Sequence, residues 1–251
     1  MHLLLTNDDG VESVSLSALA KRLGDEHEVW IFAPDAERSA SSHSITLRDA
    51  IRVERRSERV YACSGTPADC VILATLGLID AKIDMVLSGP NIGPNLGTDL
   101  IYSGTAAAAR QAALMGIPAL AASLVGNHTR QSIEFAVEFV ARNLKLFKEL
   151  ASSDHFLNIN FPEVINPKQS ISITFPSLRI YRDELDIRKE TESTSYCTIK
   201  GPPPESHVEN GSDYDAVASG MISISPILIH PLNHQIENRY RNASIWSGEK
   251  A

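Results

Sequence analysis

The chain is expected to fold as an α/β protein, with a Rossmann-like, three-layer arrangement around a mostly parallel sheet and a β-rich appendage at its C-terminal end. Three observations carry that expectation. Short apolar runs alternate with stretches of helical periodicity up to about residue 150, which is the pattern of strand–helix–strand units with right-handed crossovers. Several of those runs end abruptly in polar or glycine-rich loops. After Leu150 the alternation stops and β-leaning segments follow one another. Residues 1–150 are therefore assigned to a catalytic-type α/β core. Residues 151–251 are assigned to a segment that completes the core and contributes an oligomerisation hairpin and a tail.

Taken in order, Leu3–Leu5 form a first buried strand. Leu16, Leu19, Ala20 and Leu23 recur with helical spacing, and Gly24 stops that helix. Residues 28–33 form a second strand, followed by a long polar loop, Asp35–Ser44. Residues 45–53 and 59–63 are expected to be extended. Thr66 caps a helix that starts at Pro67 and runs through Val71 and Leu76. Asp84–Ser88 is a further strand. It opens into residues 89–99, where three glycines, two prolines and two asparagines fall within eleven residues. Ser103-Gly104-Thr105 leads into an alanine-rich helix, Ala106–Leu114. Ala119–Val125 is a strand, and Ile133, Val137, Val140, Leu144 and Phe147 mark a long amphipathic helix. Residues 156–161 and 170–175 read as strands. Residues 178–200 read as a hairpin that leaves the body, Gly201–Glu205 as a stiff linker, and residues 221–228 as a closing strand before a polar tail.

Composition narrows the function. A chain of 251 residues, 43% hydrophobic and 22% charged, can bury a sizeable core. The net charge of −8 and the lack of a Lys/Arg block argue against duplex nucleic acid as a partner. No stretch approaches the ~18–20 apolar residues of a membrane span, and the N-terminus lacks the basic region of a signal peptide. The three cysteines, Cys63, Cys70 and Cys197, suit neither a zinc site nor a disulfide framework, and a cytoplasmic location is expected.

The chemistry gathers at three strand ends: Asn7-Asp8-Asp9-Gly10, Glu37-Arg38-Ser39, and residues 89–98. In open α/β sheets the ligand crevice lies outside the carboxyl ends of the strands, so these segments are expected to converge. Two adjacent carboxylates there need a cation, a proton or open solvent. Two acids, a hydroxyl and Asn carbonyls make an all-oxygen set suited to Mg²⁺ or Mn²⁺. The Ser103-Gly104-Thr105 turn would offer the N–H groups of a helix start to a phosphate. Together these imply phosphoester chemistry, with a water acidified by the ion as nucleophile. Each part also has a plainer reading. Asp8 and Asp9 fit a solvated turn, Ser39, Asn91 and Asn95 fit turn formers, and Ser103 and Thr105 fit ordinary N-caps. His43 and His128 sit in polar loops, where they could serve as acids or stand solvated, His230 and His234 show no local partner, and Asp69 suits the first turn of a helix.

Several long motifs occur in one order: residues 6–10, Ala33-Pro34-Asp35 with residues 37–39, residues 65–70, residues 88–97, and Tyr102-Ser103-Gly104-Thr105. With them the chain resembles the SurE family of stationary-phase survival proteins, metal-dependent nucleoside monophosphate phosphatases. The likeness is strong to about residue 125 and resumes at residues 157–162 and 220–226. The resemblance implies that Asp8, Asp9, Ser39 and Asn91 hold one divalent metal per subunit, with Asp8, Asp9 and Asn95 catalytic. It implies that Asn95, Ser103, Gly104 and Thr105 surround the phosphate. It further implies hydrolysis of nucleoside 5′- and 3′-monophosphates, activity on short polyphosphate in some members, and a homodimer or homotetramer with exchanged C-terminal segments. Residues 178–209 follow no family pattern. Two rivals remain: a receiver-like signalling module, which requires a phosphoacceptor Asp after a central strand where this chain has Ser88-Gly89, and a nucleoside hydrolase, which would release free base rather than phosphate.

Overall fold

Successive side chains of a strand leave on opposite faces, and β1 (His2–Thr6) uses both. Leu3 and Leu5 enter one apolar cluster and Leu4 the other, all three with no exposed surface. That two-sided burial is why the strand is a continuous apolar run. The structure is a computed structural model that describes residues 1–126, 128–166, 169–230 and 241. His234 and most of the polar tail lie outside the described residues.

β1 lies within a nine-stranded sheet. On one side stand β2 (Glu28–Pro34), β4 (Val60–Cys63) and β3 (Val53–Ser57). On the other stand β5 (Met85–Ile92), β6 (Ala119–Leu124), β7 (His155–Phe161), β13 (Ile222–Leu228) and β8 (Ile171–Ile173). The run β4-β2-β1-β5-β6-β7 is parallel. β3 is antiparallel to β4, and β13 to β7. The chain order reverses between β1 and β5, and the crevice at such a switch point is where α/β sheets bind ligands.

Helices cover both faces. α1 (Val14–Gly24) and α4 (Arg130–Leu150) bury Leu16, Leu19, Leu23, Ile133, Val140 and Leu144 against the Leu3/Leu5 side. α2 (Pro67–Leu73) and α3 (Gly104–Leu114) pack on the Leu4 side through Cys70, Val71 and a series of buried alanines. Small side chains let α3 lie close to α2 and the sheet. α2 begins with a capping box between Thr66 and Asp69. Among the described residues no helix is long and apolar enough to cross a membrane.

Four features differ from the sequence expectation. Residues 45–50 are not extended strand. Asp69 accepts from both the N–H and the hydroxyl of Thr46, each at 2.8 Å, which takes that segment out of any ladder. The second helix ends at Leu73 and passes into a π-helical turn, Ala74–Leu78. β5 continues through Pro90 to Ile92, so part of the glycine-rich loop is strand. A short helix, α5 (Asp213–Ala218), had no periodic signal.

The chain beyond residue 150 supplies β7, β8 and β13 to the main sheet. It also forms two small sheets: β9 (Arg179–Ile180) pairs with β12 (Glu205–Ser206), and β10 (Glu184–Lys189) pairs with β11 (Ser195–Lys200). Asp213 opens α5 and is wholly buried. Its carboxyl group accepts from the N–H groups of Gly97 (2.7 Å), Ser177 (2.8 Å) and Tyr214 (2.8 Å). Asp213→Ala should therefore orphan three backbone donors and destabilise the fold by about 3 kcal/mol or more, read as a lower urea midpoint with an unchanged slope.

Candidate metal and phosphate site

β1 ends in a turn that Asn7 closes on itself. Its Nδ2 donates to the Gly10 carbonyl at 3.0 Å, and its Oδ1 accepts from the Gly10 N–H at 3.2 Å. Gly10 has φ 104°, which favours glycine. With Asn7 occupied in the turn, the next two side chains are left free of it.

Asp8 is buried, and its two carboxylate oxygens accept from Thr105: Oδ1 from the hydroxyl at 2.5 Å and Oδ2 from the backbone N–H at 3.1 Å. Asp9 Oδ2 is buried and has no hydrogen-bond partner. Burial first, and the Asp8 charge second, push the Asp9 carboxyl up to about 6. Burial also raises Asp8, against the lowering effect of its bonds to Thr105. A carboxylate pair held this dry, with one oxygen unpartnered, is the donor set a hard cation relieves. Among the described residues no three His, Cys, Asp or Glu stand together as a metal cluster. Any further ligands must then be neutral oxygens.

Two such oxygens lie on adjoining segments. The Arg38 N–H donates to the Asp8 carbonyl at 2.7 Å, which ties the second loop to the first turn. Glu37 is close enough to raise Asp9 further. Ser39 is exposed and donates to Glu37 Oε1 at 2.8 Å, which leaves its oxygen lone pairs free. On β5 the Ile92 backbone is close enough to the Asp9 carboxyl to lower it, which brings the neighbouring Asn91 to the same end of the sheet. Asn91 commits its Nδ2 to the Gly93 carbonyl at 2.9 Å, and its Oδ1 stays available. The buried, unpartnered oxygen of Asp9 and this all-oxygen surrounding fit a divalent ion.

Asn95 sits apart from those contacts, in a buried amide cluster. Its Nδ2 donates to Ser123 Oγ at 2.8 Å, its N–H to Asn160 Oδ1 at 2.9 Å, and its carbonyl accepts from Asn158 and Asn160. Ser103 is an N-cap, accepting from the Ala106 N–H at 2.9 Å. At the expected phosphate seat the Thr105 N–H is taken by Asp8, and the Gly104 backbone also favours that carboxylate. Of the other residues singled out, Asp69 holds Thr46 and caps α2, and His43 pairs with Gln111 at 3.0 Å.

Sequence reasoning missed Thr105 as the partner of Asp8, and Asn158 and Asn160 as the clamp on Asn95. The second had a signal: two asparagines two residues apart share one face of an otherwise apolar strand. Gly104 shows how close the packing is. A β-carbon there would lie 2.9 Å from Asp8 Cβ and 3.0 Å from its Oδ2. Gly104→Ala should leave the helix intact, since alanine suits that backbone, yet displace Asp8. The expected result is weakened Mn²⁺ binding by calorimetry, with a melting temperature close to that of the unaltered chain.

The sequence model of the survival protein SurE family matches residues 3–183. A protein of Chloroflexus aggregans named 5′-nucleotidase SurE is 39% identical over 242 residues, covering 94% of this chain and 96% of that protein. One of Pseudothermotoga lettingae with the same name is 38% identical over 261 residues, covering 98% of each. The crystal structure of the SurE protein from Aquifex aeolicus superposes with a TM-score of 0.82 at 30% identity, covering 96% of this chain and 98% of that one. The three-layer α/β fold, the ordered motifs and these matches over nearly the whole length establish that this chain belongs to the SurE family.

Proposed function

We propose that this chain is a divalent-metal-dependent phosphatase that hydrolyses nucleoside 5′- and 3′-monophosphates to nucleoside and phosphate, with short polyphosphate as a further substrate. The observation that carries the reading is the Asp8–Asp9 pair at the sheet's switch point, Asp8 buried and Asp9 half-buried with its buried Oδ2 unpartnered. Relatives that cover nearly all of the chain and bear the name 5′-nucleotidase support it.

Asp8, Asp9, Ser39 and Asn91 are the residues that would hold Mg²⁺ or Mn²⁺, one ion per subunit. When bound, the ion supplies Lewis acidity toward the phosphoryl group and acidifies water. Thr105 fixes Asp8 through both carboxylate oxygens, which makes Asp8 a poor nucleophile and disfavours an aspartyl-phosphate. Asn95 keeps one amide proton after its bond to Ser123, and that proton can meet charge developing on the phosphoryl oxygens. Ser103, Gly104 and Thr105 complete the surroundings of the phosphate in this reading. A receiver-like module is disfavoured because β5 carries no Asp at its carboxyl end.

We also assign the β10–β11 hairpin to assembly of a homodimer or homotetramer. Leu185 stands opposite Ile199, and Ile187 opposite Cys197, so one face is apolar. All twelve strand residues are exposed. A two-stranded hairpin with a wet apolar face is marginal alone, and a second copy would cover it. We also place the protein in the cytoplasm, because three cysteines in neither a zinc nor a disulfide pattern suit a reducing medium.

Asp8→Asn should abolish Mn²⁺-stimulated release of phosphate from a nucleoside monophosphate, with circular dichroism unchanged. Full activity in that variant would sink the metal assignment. Replacing Ile187 and Ile199 by lysine should shift the oligomer toward monomer in light scattering; an unchanged mass would remove the hairpin from the interface.

A further inference from the structure

The loop between β2 and β3 carries a hydroxyl that nothing above uses. Ser41 Oγ is buried and has no hydrogen-bond partner. It lies 2.9 Å from the point that a β-carbon on Gly104 would occupy, and Asp8 Cβ and Oδ2 lie 2.9 and 3.0 Å from the same point. The hydroxyl therefore borders the space between Asp8 and the start of α3.

The backbone around it is forced. Ala40 and Ser42, on either side, both have φ 55°, a left-handed conformation that residues with a β-carbon avoid. The surroundings hold it there. The Ser41 N–H donates to the Arg38 carbonyl at 3.3 Å, and the Ser42 N–H to the Tyr102 carbonyl at 2.9 Å. Ser42 Oγ donates to the Ile101 carbonyl at 2.7 Å, and Ser44 Oγ to the Ser41 carbonyl at 2.8 Å. Strain of this kind and a buried unpaired hydroxyl both cost stability, and both cluster where a ligand completes the arrangement.

We propose that the Ser41 hydroxyl donates a hydrogen bond to a phosphoryl oxygen of the bound phosphomonoester. The inference rests on the phosphatase reading and extends it to a residue in the substrate contact. A phosphoryl oxygen only accepts, and a serine hydroxyl can donate. The competing donors nearby are engaged, since the Thr105 N–H and hydroxyl serve Asp8. The loop hydroxyl adds a donor beside the helix start.

Ser41→Ala tests this, with Ser41→Gly as a second variant lacking the hydroxyl. Melting of the metal-free protein should be unchanged or raised in the alanine variant, because an unpaired buried hydroxyl is removed. Mn²⁺ affinity should be unchanged. Affinity for inorganic phosphate, by calorimetry, and inhibition by orthovanadate should weaken about tenfold to a hundredfold, the worth of a hydrogen bond to a charged group, and kcat/KM should fall with them. Unchanged phosphate and vanadate affinity in both variants would overturn the proposal. So would a parallel loss of Mn²⁺ affinity, which would give the hydroxyl to Asp8 or to the ion. Failure of the unaltered protein to hydrolyse any phosphomonoester would overturn the phosphatase reading instead, because the phosphate-binding comparison is made without turnover.

Discussion

Two adjacent carboxylates at one end of a sheet, one buried and one half-buried, set the terms for this molecule. Taking such charges out of water is costly, and their mutual repulsion adds to the cost. The fold answers with partial remedies. Asn7 closes the turn by itself, so the turn makes no demand on the acids. Thr105 gives Asp8 a hydroxyl and an amide, and the start of α3 adds its dipole. Asp9 has the Ile92 backbone nearby to lower it and keeps one buried oxygen bare. A site that satisfied both acids fully would have no reason to bind a cation. This one stops short by one oxygen.

The same constraint explains why the site draws on almost the whole chain. The glycine-rich loop after β5 must lie beside Asp9, yet a loop of glycines and prolines has little side chain with which to anchor itself. The anchors come from far along the sequence: Asn158 and Asn160 on β7, Ser123 on β6, and Asp213 at the start of α5. Gly97 shows the tightness, since a β-carbon there would fall 2.0 Å from the Ser177 carbonyl oxygen. The segment after residue 150 is structurally part of the site's foundation.

The elements with strong periodicity were legible in the sequence. β1, β2, α4 and β7 fall where the apolar spacing puts them, because burial on one stripe or on both faces leaves a direct imprint on residue type. The acids after β1 and the asparagines from β5 onward were legible as candidates too, since polar residues at the ends of buried strands stand out. What escaped was set by partners distant in sequence. The extended look of residues 45–50 was overruled by Asp69, twenty-three positions from Thr46. α5 is six residues long, too short for a periodic pattern, and is held by its Ser212 cap and Asp213. Thr105 looked like a cap because, from sequence alone, nothing marks which anion a helix start will meet.

A serine, a glycine and a threonine before a run of alanines suggested a seat for phosphate. The geometry separates their roles. Ser103 caps, Gly104 makes room, and Thr105 holds Asp8. Gly104 is required by space rather than by backbone freedom, for its φ lies outside the left-handed region and only the nearness of Asp8 and Ser41 forbids a side chain. The helix dipole thus acts on a protein carboxylate, and a phosphate beside it would gain from donors on further segments of the crevice. The loop carrying Ser39 and Ser41 adjoins the acids through the Arg38–Asp8 bond and brings neutral hydroxyls, while the Arg38 guanidinium turns to Asp35 and the Ser64 carbonyl. Neutral donors suit that position, because a lysine or arginine there would pair with Asp8 and Asp9 and compete with the cation the acids are arranged to hold.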